Sequence, residues 1–198
     1  MTSTDDKIEQ KIKSLKQGDI VFTEDFQNYG SPGAVKVALH RIVKKGLLHH
    51  LARGIYAKPT FSKLLNKEVL PGAEEVALAI AKRDKARLLP TGAYAQNALG
   101  LSTQVPLRMV YLTDGSPRTI KIGKRSIQFK KTTPKNLALK GKISKLVVQA
   151  LKDIGKDKAT PQELEKIQNL LLQENKQDLK HDIDLAPQWI AEIMAKAL

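Results

Sequence analysis

The sequence contains no cysteine among its 198 residues. Disulfide bonds and thiolate metal sites are therefore excluded, and a cytoplasmic location is expected. No run of apolar residues is long enough to cross a bilayer, and the polar, acidic start of the chain is not expected to act as a signal peptide. With 41% hydrophobic and 27% charged residues, the composition is that of a globular protein with one or two domains.

Acidic residues are absent from two long stretches of the chain. Residues 26–67 contain eight Lys or Arg and residues 115–152 contain eleven, with no Asp or Glu in either. The formal net charge is +14. Basic blocks attract polyanions through counterion release. Lysine-rich surfaces that serve only solubility are the alternative, but blocks of this length favour a polyanion or an acidic protein as the partner.

The first sixty residues have the pattern of a winged helix-turn-helix. A helix over residues 4–16, a short strand at 19–22 and a brief helix around 24–28 precede a third helix, which Ser31 caps and Gly46 ends. Strand-like segments then flank a turn at residues 52–54, which predicts a β-hairpin. We expect residues 1–59 to bind duplex DNA, with the third helix in the major groove and the hairpin tip on the backbone or in the minor groove.

The third helix is amphipathic, and its polar face is basic. Because the N-terminal residues of a recognition helix point into the groove, we expect its exposed positions up to His40 to face the bases and the later cations to contact phosphates. The alternative is a solvated face of a structural helix. The predicted DNA-contacting residues are Ser31, Lys36, His40, Arg41, Lys44, Lys45 and Arg53. The histidines lack metal-ligand spacing, so we expect no metal and no other cofactor.

The remainder of the chain predicts a connector and an α+β domain. We predict that residues 60–72 form a connector with a short helical piece around 61–65. Residues 73–198 are predicted to form the domain. A helix over 73–84 is expected to point Val76, Leu78, Ala79 and Ile80 inward. Strand patterns between 87 and 129 predict a small antiparallel sheet, with a hairpin turn at Gly123 and Lys124. Helices follow, and residues 160–198 form a helical C-terminal extension. The predicted fold class is α+β.

A second basic patch surrounds the predicted hairpin and its exit. Phe129 is the only aromatic residue nearby, so a base-stacking platform for single strands is not expected. We favour contact with the duplex backbone, extending the footprint of the wing, over RNA or an acidic protein as the partner. The residues of this patch are Lys121, Lys124, Arg125, Lys130, Lys131 and Lys135.

The chain contains LARGIY at residues 51–56, GAYA at 92–95, LGL at 99–101 and YLTDG at 111–115. Together these motifs resemble the AbiEi-type antitoxins of bacterial type IV toxin–antitoxin systems, which act in phage resistance, over residues 8–155. The resemblance implies a winged helix that represses its own operon and a second domain that counteracts a nucleotidyltransferase-like toxin. It leaves open whether this domain contacts the toxin directly. The winged-helix positions that carry over are Lys36, His40, Arg41, Lys44 and Arg53. Matching residues of the second domain, without an assigned role, are Thr91, Gly92, Tyr94, Asn97, Thr113 and Asp114.

Two other functions compete with an antitoxin. The first is a stand-alone winged-helix regulator whose second domain senses a ligand or mediates dimerisation. The second is an enzyme, but the chain has neither a phosphate-binding glycine loop nor a nucleophile elbow. Asp114 followed by Gln128 and Lys130 on a later strand resembles the acid pattern of metal-dependent nucleases, although a second carboxylate is missing. We therefore expect no enzyme activity.

Overall fold

The computed structural model describes residues 3–198. It is a mixed α+β protein with several helices and small sheets, as predicted. The chain divides into two compact units. One runs up to Ala79 and includes Lys121–Gly123, and the other comprises Ile80–Ile120 and Lys124–Leu198. No helix within the described residues is long and apolar enough to cross a membrane.

The first unit combines helices with short strands. Its elements are α1 (Thr4–Lys13), β1 (Ile20–Phe22), a 3₁₀ helix (Thr23–Tyr29), α2 (Pro32–Lys44), β2 (His49–Ala52), β3 (Ile55–Ala57), β4 (Thr60–Ser62) and β5 (Lys67–Val69). The first three strands form an antiparallel sheet in the order β1-β3-β2. This is the element order that the sequence predicts: a helical segment on each side of β1, then α2, then a hairpin.

The core of this unit lies between α1, α2 and the sheet. Ile8 and Ile12 of α1 are fully buried against Leu39 and Ile42 of α2, and Phe26 of the 3₁₀ helix completes the cluster. These residues recur at helical spacing, so burying one stripe of each helix leaves the other stripe to solvent. Burial of each such side chain contributes roughly 1.5–3 kcal/mol, so this cluster holds the two helices together.

Lys58 links β3 to the end of α1. It follows β3 directly, and its Nζ donates hydrogen bonds to the carbonyl oxygens of Ile12, Lys13 and Leu15 at 3.1, 3.0 and 2.7 Å. The last carbonyl groups of a helix have no partner within the helix and carry its partial negative charge. The ammonium group of Lys58 supplies the missing hydrogen bonds and places a positive charge next to this partial negative charge.

The predicted connector contains a second hairpin. β4 and β5 pair in antiparallel fashion, with Thr60 opposite Val69 and Ser62 opposite Lys67. The predicted helical piece around residues 61–65 is wrong, because a turn with Asn66 at φ 47° joins two extended segments there. His49 Nε2 of β2 lies 3.1 Å from Glu68 Oε2 of β5, which links the two hairpins.

Helix α3 (Ala73–Asp84) has the predicted bounds, and the division between the two units falls within it. Val76 and Ile80 are buried as predicted, but Leu78 is 55% exposed. The prediction for Leu78 was wrong because residue 78 lies two positions from both 76 and 80, and residues two apart on a helix do not share a face.

After α3, the second unit contains a four-stranded sheet, five α-helices and a 3₁₀ helix within the described residues, with only the hairpin residues Lys121–Gly123 assigned to the first unit. Its further elements are β6 (Leu88–Thr91), α4 (Ala93–Ala98), β7 (Arg108–Thr113), β8 (Arg118–Ile122), β9 (Arg125–Lys131), a 3₁₀ helix (Pro134–Leu137), α5 (Ser144–Ile154), α6 (Pro161–Leu171), α7 (Lys176–Leu185) and α8 (Gln188–Ala195).

The sheet is not purely antiparallel, which corrects the prediction. Its order is β6-β7-β9-β8, and β7 pairs with β9 in parallel, with Arg108 opposite Ser126 and Thr113 opposite Lys131. Gly123 at φ 57° begins the tight turn between β8 and β9, so those two strands are adjacent and antiparallel. β8 takes the outer edge, and β9 therefore lies beside β7 in the same direction.

The helices of this unit share one apolar core. Leu151 of α5, Ile167 and Leu171 of α6, Leu179 of α7 and Ile190 of α8 are all buried in one cluster. Residues 160–198 therefore complete the core that α5 begins. Trp189 packs against the same cluster while remaining half-buried.

Two carboxylates hold the start of α5. Asp182, fully buried on α7, accepts hydrogen bonds from the backbone N–H groups of Lys140 and Gly141 at 2.8 and 2.9 Å and from the Ser144 hydroxyl. Glu174 accepts from the N–H groups of Ile143 and Ser144 at 2.6 and 3.0 Å. The first N–H groups of a helix lack partners within it and favour negative charge, so both acids are stabilised there.

Candidate nucleic-acid interface

Helix α2 presents a cationic face to solvent. The Ser31 hydroxyl caps its start by accepting from the N–H of Ala34 at 3.3 Å, and Pro32 occupies the first helical position. Lys36, His40 and Lys44 follow one another at intervals of four residues and are exposed. They have no hydrogen-bond or ion-pair partner among residues 3–198. The structure therefore places two lysines and a histidine in one free row along the helix.

Small and apolar residues accompany this row. Val37 is 49% exposed on the same face, and a side chain added at Gly33 would meet nothing within 4 Å. The buried side of α2 lies opposite and contains Val35, Leu39 and Ile42. An exposed valine beside lysines allows apolar contact as well as hydrogen bonding to a partner surface.

Arg53 lies at the tip of the β2–β3 hairpin. It is exposed and has no ion-pair partner in the part of the chain that the structure describes. Gly54 next to it has φ 72°, a backbone conformation that residues with a Cβ rarely adopt. This glycine keeps the turn tight and leaves the arginine at its outermost point.

The other two cations predicted on α2 are paired with acids of α1. Arg41 Nη1 lies 2.6 Å from Asp5 Oδ2, and Lys45 Nζ lies 2.6 Å from Glu9 Oε2. The hydrogen bond from Lys45, and a second from Lys13, lower the pKa of Glu9 to about 2. Asp5 and Glu9 are four residues apart, as are Arg41 and Lys45, so matching rows of charge join the helices. Acidic side chains of α1 therefore compensate the charges of Arg41 and Lys45, whereas Lys36 and Lys44 have no acidic partner among the described residues.

The second basic patch divides into two groups along β9. Lys121, Lys124 and Arg125 lie at the hairpin turn, and Lys130 and Lys131 lie at the opposite end of β9. An extended strand rises about 3.3 Å per residue, so the six steps from Arg125 to Lys131 separate the two ends by about 20 Å. Lys135 follows in the 3₁₀ helix. All six residues are exposed.

Asp114 is engaged by an arginine. Its two carboxylate oxygens accept from the backbone N–H and the Nε of Arg87, each at 2.8 Å. The side-chain hydrogen bond from Arg87 lowers the pKa of Asp114 below its usual range. On the later strand, the Gln128 Oε1 accepts from Arg108 at 2.6 Å. These contacts favour a structural role for Asp114 in its turn over a catalytic one.

The sequence analysis did not single out a group of polar residues around α5. Lys145, Gln149 and Lys152 lie on one face of that helix, at intervals of four and three residues. Lys145 and Lys152 belong to the second acid-free block, so the sequence did mark them as part of a basic segment. Their shared helix face also follows from their spacing, but it was not part of the prediction. Arg87 lies outside both basic blocks and carried no sequence signal.

The fold and the exposed cations define a mixed α+β protein with a basic helix face on its first unit. Residues 7–179 match a family described as a family of unknown function (DUF6088). Because the match covers most of the 198 residues, the chain belongs to this family. No curated protein matches the sequence.

Proposed function

We propose that the first unit is a winged helix that binds duplex DNA. Its element order and three-stranded sheet support this proposal, with α2 as the recognition helix and the β2–β3 hairpin as the wing. The observation that carries it is the free row of Lys36, His40 and Lys44. A row of basic side chains with two unpaired lysines on one helix face, and no acid to compensate them, is the electrostatic footprint of a phosphate-binding surface.

The contacts divide into two classes by position. Lys36 and the exposed Val37 lie in the first half of α2 and His40 lies just past its middle. We place these side chains at base edges, where lysine can donate to guanine and valine can contact the thymine methyl group. Lys44 and Arg53 lie further out and contact phosphates, which set affinity rather than sequence preference. Arg41 and Lys45 contribute less than the sequence predicts, because binding phosphate would separate them from Asp5 and Glu9.

We predict that Lys36→Gln together with Lys44→Gln weakens binding to duplex DNA at least tenfold, about 1.4 kcal/mol. Two lost cation contacts should also reduce the slope of log K against log salt by about two. The measurement is fluorescence anisotropy with duplex DNA from the region upstream of the gene and with a scrambled duplex, across salt concentrations.

The matched control is Lys7→Gln with Lys11→Gln. These lysines are also exposed and four residues apart, but they lie on α1. The control removes the same charge and should retain the wild-type preference for the native duplex. Equal losses in the two variants would contradict the assignment of α2 and leave only an effect of net charge.

We further propose that the chain is an antitoxin that represses its own operon and counteracts a nucleotidyltransferase-like toxin through its second unit. The four motifs of the AbiEi-type resemblance support this role. Co-expression with a nucleotidyltransferase encoded beside the gene should restore growth of toxin-expressing cells, and the Lys36 and Lys44 variant should do so equally well. Continued growth arrest would favour the stand-alone regulator instead. The proposed role is one of binding, and the engagement of Asp114 by Arg87 is consistent with it.

The second basic patch is proposed to add contacts to the duplex backbone. Its two groups on β9, about 20 Å apart, correspond to separate phosphate contacts rather than one cluster. Charge reversal at Lys130 and Lys131 in the same anisotropy assay separates this proposal from an RNA or protein partner. An unchanged salt slope would remove the patch from the DNA interface.

A further inference from the structure

A cleft of about 230 Å³ opens in the second unit between the start of β6, the 3₁₀ helix Pro134–Leu137 and α5. Its apolar lining consists of four leucines, and its polar lining consists of Arg87, Asn136 and Lys145. Asn136 Nδ2 donates to the Thr132 hydroxyl at 2.9 Å, which holds the amide in place. An apolar floor with a few convergent polar groups is typical of a small-molecule site.

Arg87 is exposed and lines the cleft, and its carboxylate partner uses only part of its hydrogen-bonding capacity. Asp114 accepts from its backbone N–H and its Nε, and the Leu137 carbonyl oxygen lies 3.4 Å from Nη1. The Nη2 group has no acceptor among the described residues. Because the carboxylate fixes the plane of the guanidinium, the remaining donors are pre-organised for an additional acceptor.

Helix α5 contributes Lys145 to the lining of the cleft, and one turn further along the helix it carries a buried donor without an acceptor. Gln149 is 3% exposed, and its Nε2 has no hydrogen-bond partner in the described part of the chain. Lys145 precedes it by four residues, and Lys152 follows it by three, so the three side chains share one helix face. A buried amide without an acceptor is costly, and native proteins rarely leave one unexplained.

Lys152 and Lys135 form a pair of like charges without a compensating acid. Desolvation lowers the pKa of Lys152, and the nearby positive charge of Lys135 lowers it further, although the Lys152 side chain remains partly exposed. No carboxylate pairs with either lysine within residues 3–198. Lys135 precedes the cleft-lining Asn136 in the chain, and Lys152 lies two turns along α5 from Lys145. Excess positive charge therefore borders the cleft and favours an anion there.

We infer that this cleft binds a phosphate monoester of up to mononucleotide size, through Arg87 and Lys145, the two cations of its lining. A phosphate monoester carries nearly two negative charges and three acceptor oxygens, which suits several cations better than a single carboxylate does. The leucine floor accommodates the organic part. The same group occurs on free nucleotides and on the phosphorylated end of a nucleic-acid strand. None of the cleft-lining residues belongs to α2 or to the second basic patch, so a failure of the proposed DNA binding would leave this inference in place.

Isothermal titration calorimetry of the full chain with cytidine monophosphate, inorganic phosphate and cytidine tests this inference. We expect the monophosphate to bind, phosphate to bind more weakly, and cytidine to give no signal. Lys145→Gln should weaken monophosphate binding at least tenfold. The matched control, Lys180→Gln, removes an exposed lysine of α7 in the same unit and should bind as the wild type does.

The side-chain amide of Asn136, which lines the cleft, provides a readout that nonspecific charge attraction would not move. Its ¹⁵N–¹H resonances should shift on addition of cytidine monophosphate and stay unchanged with cytidine. A 5′-phosphorylated trinucleotide that binds while the unphosphorylated one does not would identify a strand end as the source. Absence of binding by both phosphorylated probes at millimolar concentration would overturn the site, and so would equal monophosphate affinity in wild type and Lys145→Gln.

Discussion

Replacing Asp182 by Asn is expected to destabilise the second unit by at least about 1.5–3 kcal/mol, the usual range for one hydrogen bond to a charged group, because it disrupts a buried, hydrogen-bonded carboxylate site. The wild-type carboxylate accepts from two backbone N–H groups and the Ser144 hydroxyl, and the neighbouring His181 Nδ1 lies 2.9 Å from it. An amide would direct its own N–H donors at some of these donors. Urea denaturation followed by Trp189 fluorescence measures the change, because this single tryptophan packs against the affected helices.

Asp184→Asn is the matched control for this prediction. Asp184 lies on the same helix, two residues away, and is exposed. The identical chemical change there should alter the free energy of unfolding by less than about 0.5 kcal/mol, as is usual for surface substitutions. A denaturation midpoint for Asp182→Asn that matches this control would show that the buried network is not what secures the start of α5.

Replacing Lys58 by Met is expected to destabilise the first unit by about 1.5–3 kcal/mol, the usual range for hydrogen bonds that involve a charged group. Methionine preserves much of the side-chain volume but offers no donor to the three carbonyl oxygens at the end of α1. The helix end should therefore fray. Hydrogen exchange resolved to individual peptides should show faster exchange in α1 and a lower free energy of opening there.

Lys63→Met provides the comparison for Lys58. Lys63 lies in the turn between β4 and β5 and is exposed. The same loss of charge at that turn should leave exchange in α1 unchanged. Faster exchange in both variants would point to a general effect of net charge, and unchanged exchange in Lys58→Met would refute its role as a cap.

The family match ends before the last residues that the core of the second unit requires. The match ends at residue 179, whereas Asp182 and the buried Ile190 and Met194 of α8 lie beyond it. These residues nevertheless support α5 and fill the core around it. The final segment is therefore integral to the second unit of this chain, although the family description does not extend to it.

Local patterns in the sequence determined most of the elements. The Ser31 cap, Pro32 and the apolar spacing of α2 specified that helix within a residue or two, because caps and helical periodicity are local properties. Thr160 and Pro161 similarly marked the start of α6. The exposed positions of Lys36, His40 and Lys44 followed from the same periodicity, so the principal candidate surface was predictable from the sequence.

Only the tertiary structure decided which charges remain free and how the strands pair. Arg41 and Lys45 look equivalent to Lys36 and Lys44 in sequence, but the packing of α1 against α2 supplies Asp5 and Glu9 to the first pair alone. The parallel pairing of β7 with β9 and the approach of Arg87 to α5 likewise join residues distant in the chain. Such contacts depend on how whole elements pack, and a local sequence pattern does not record them.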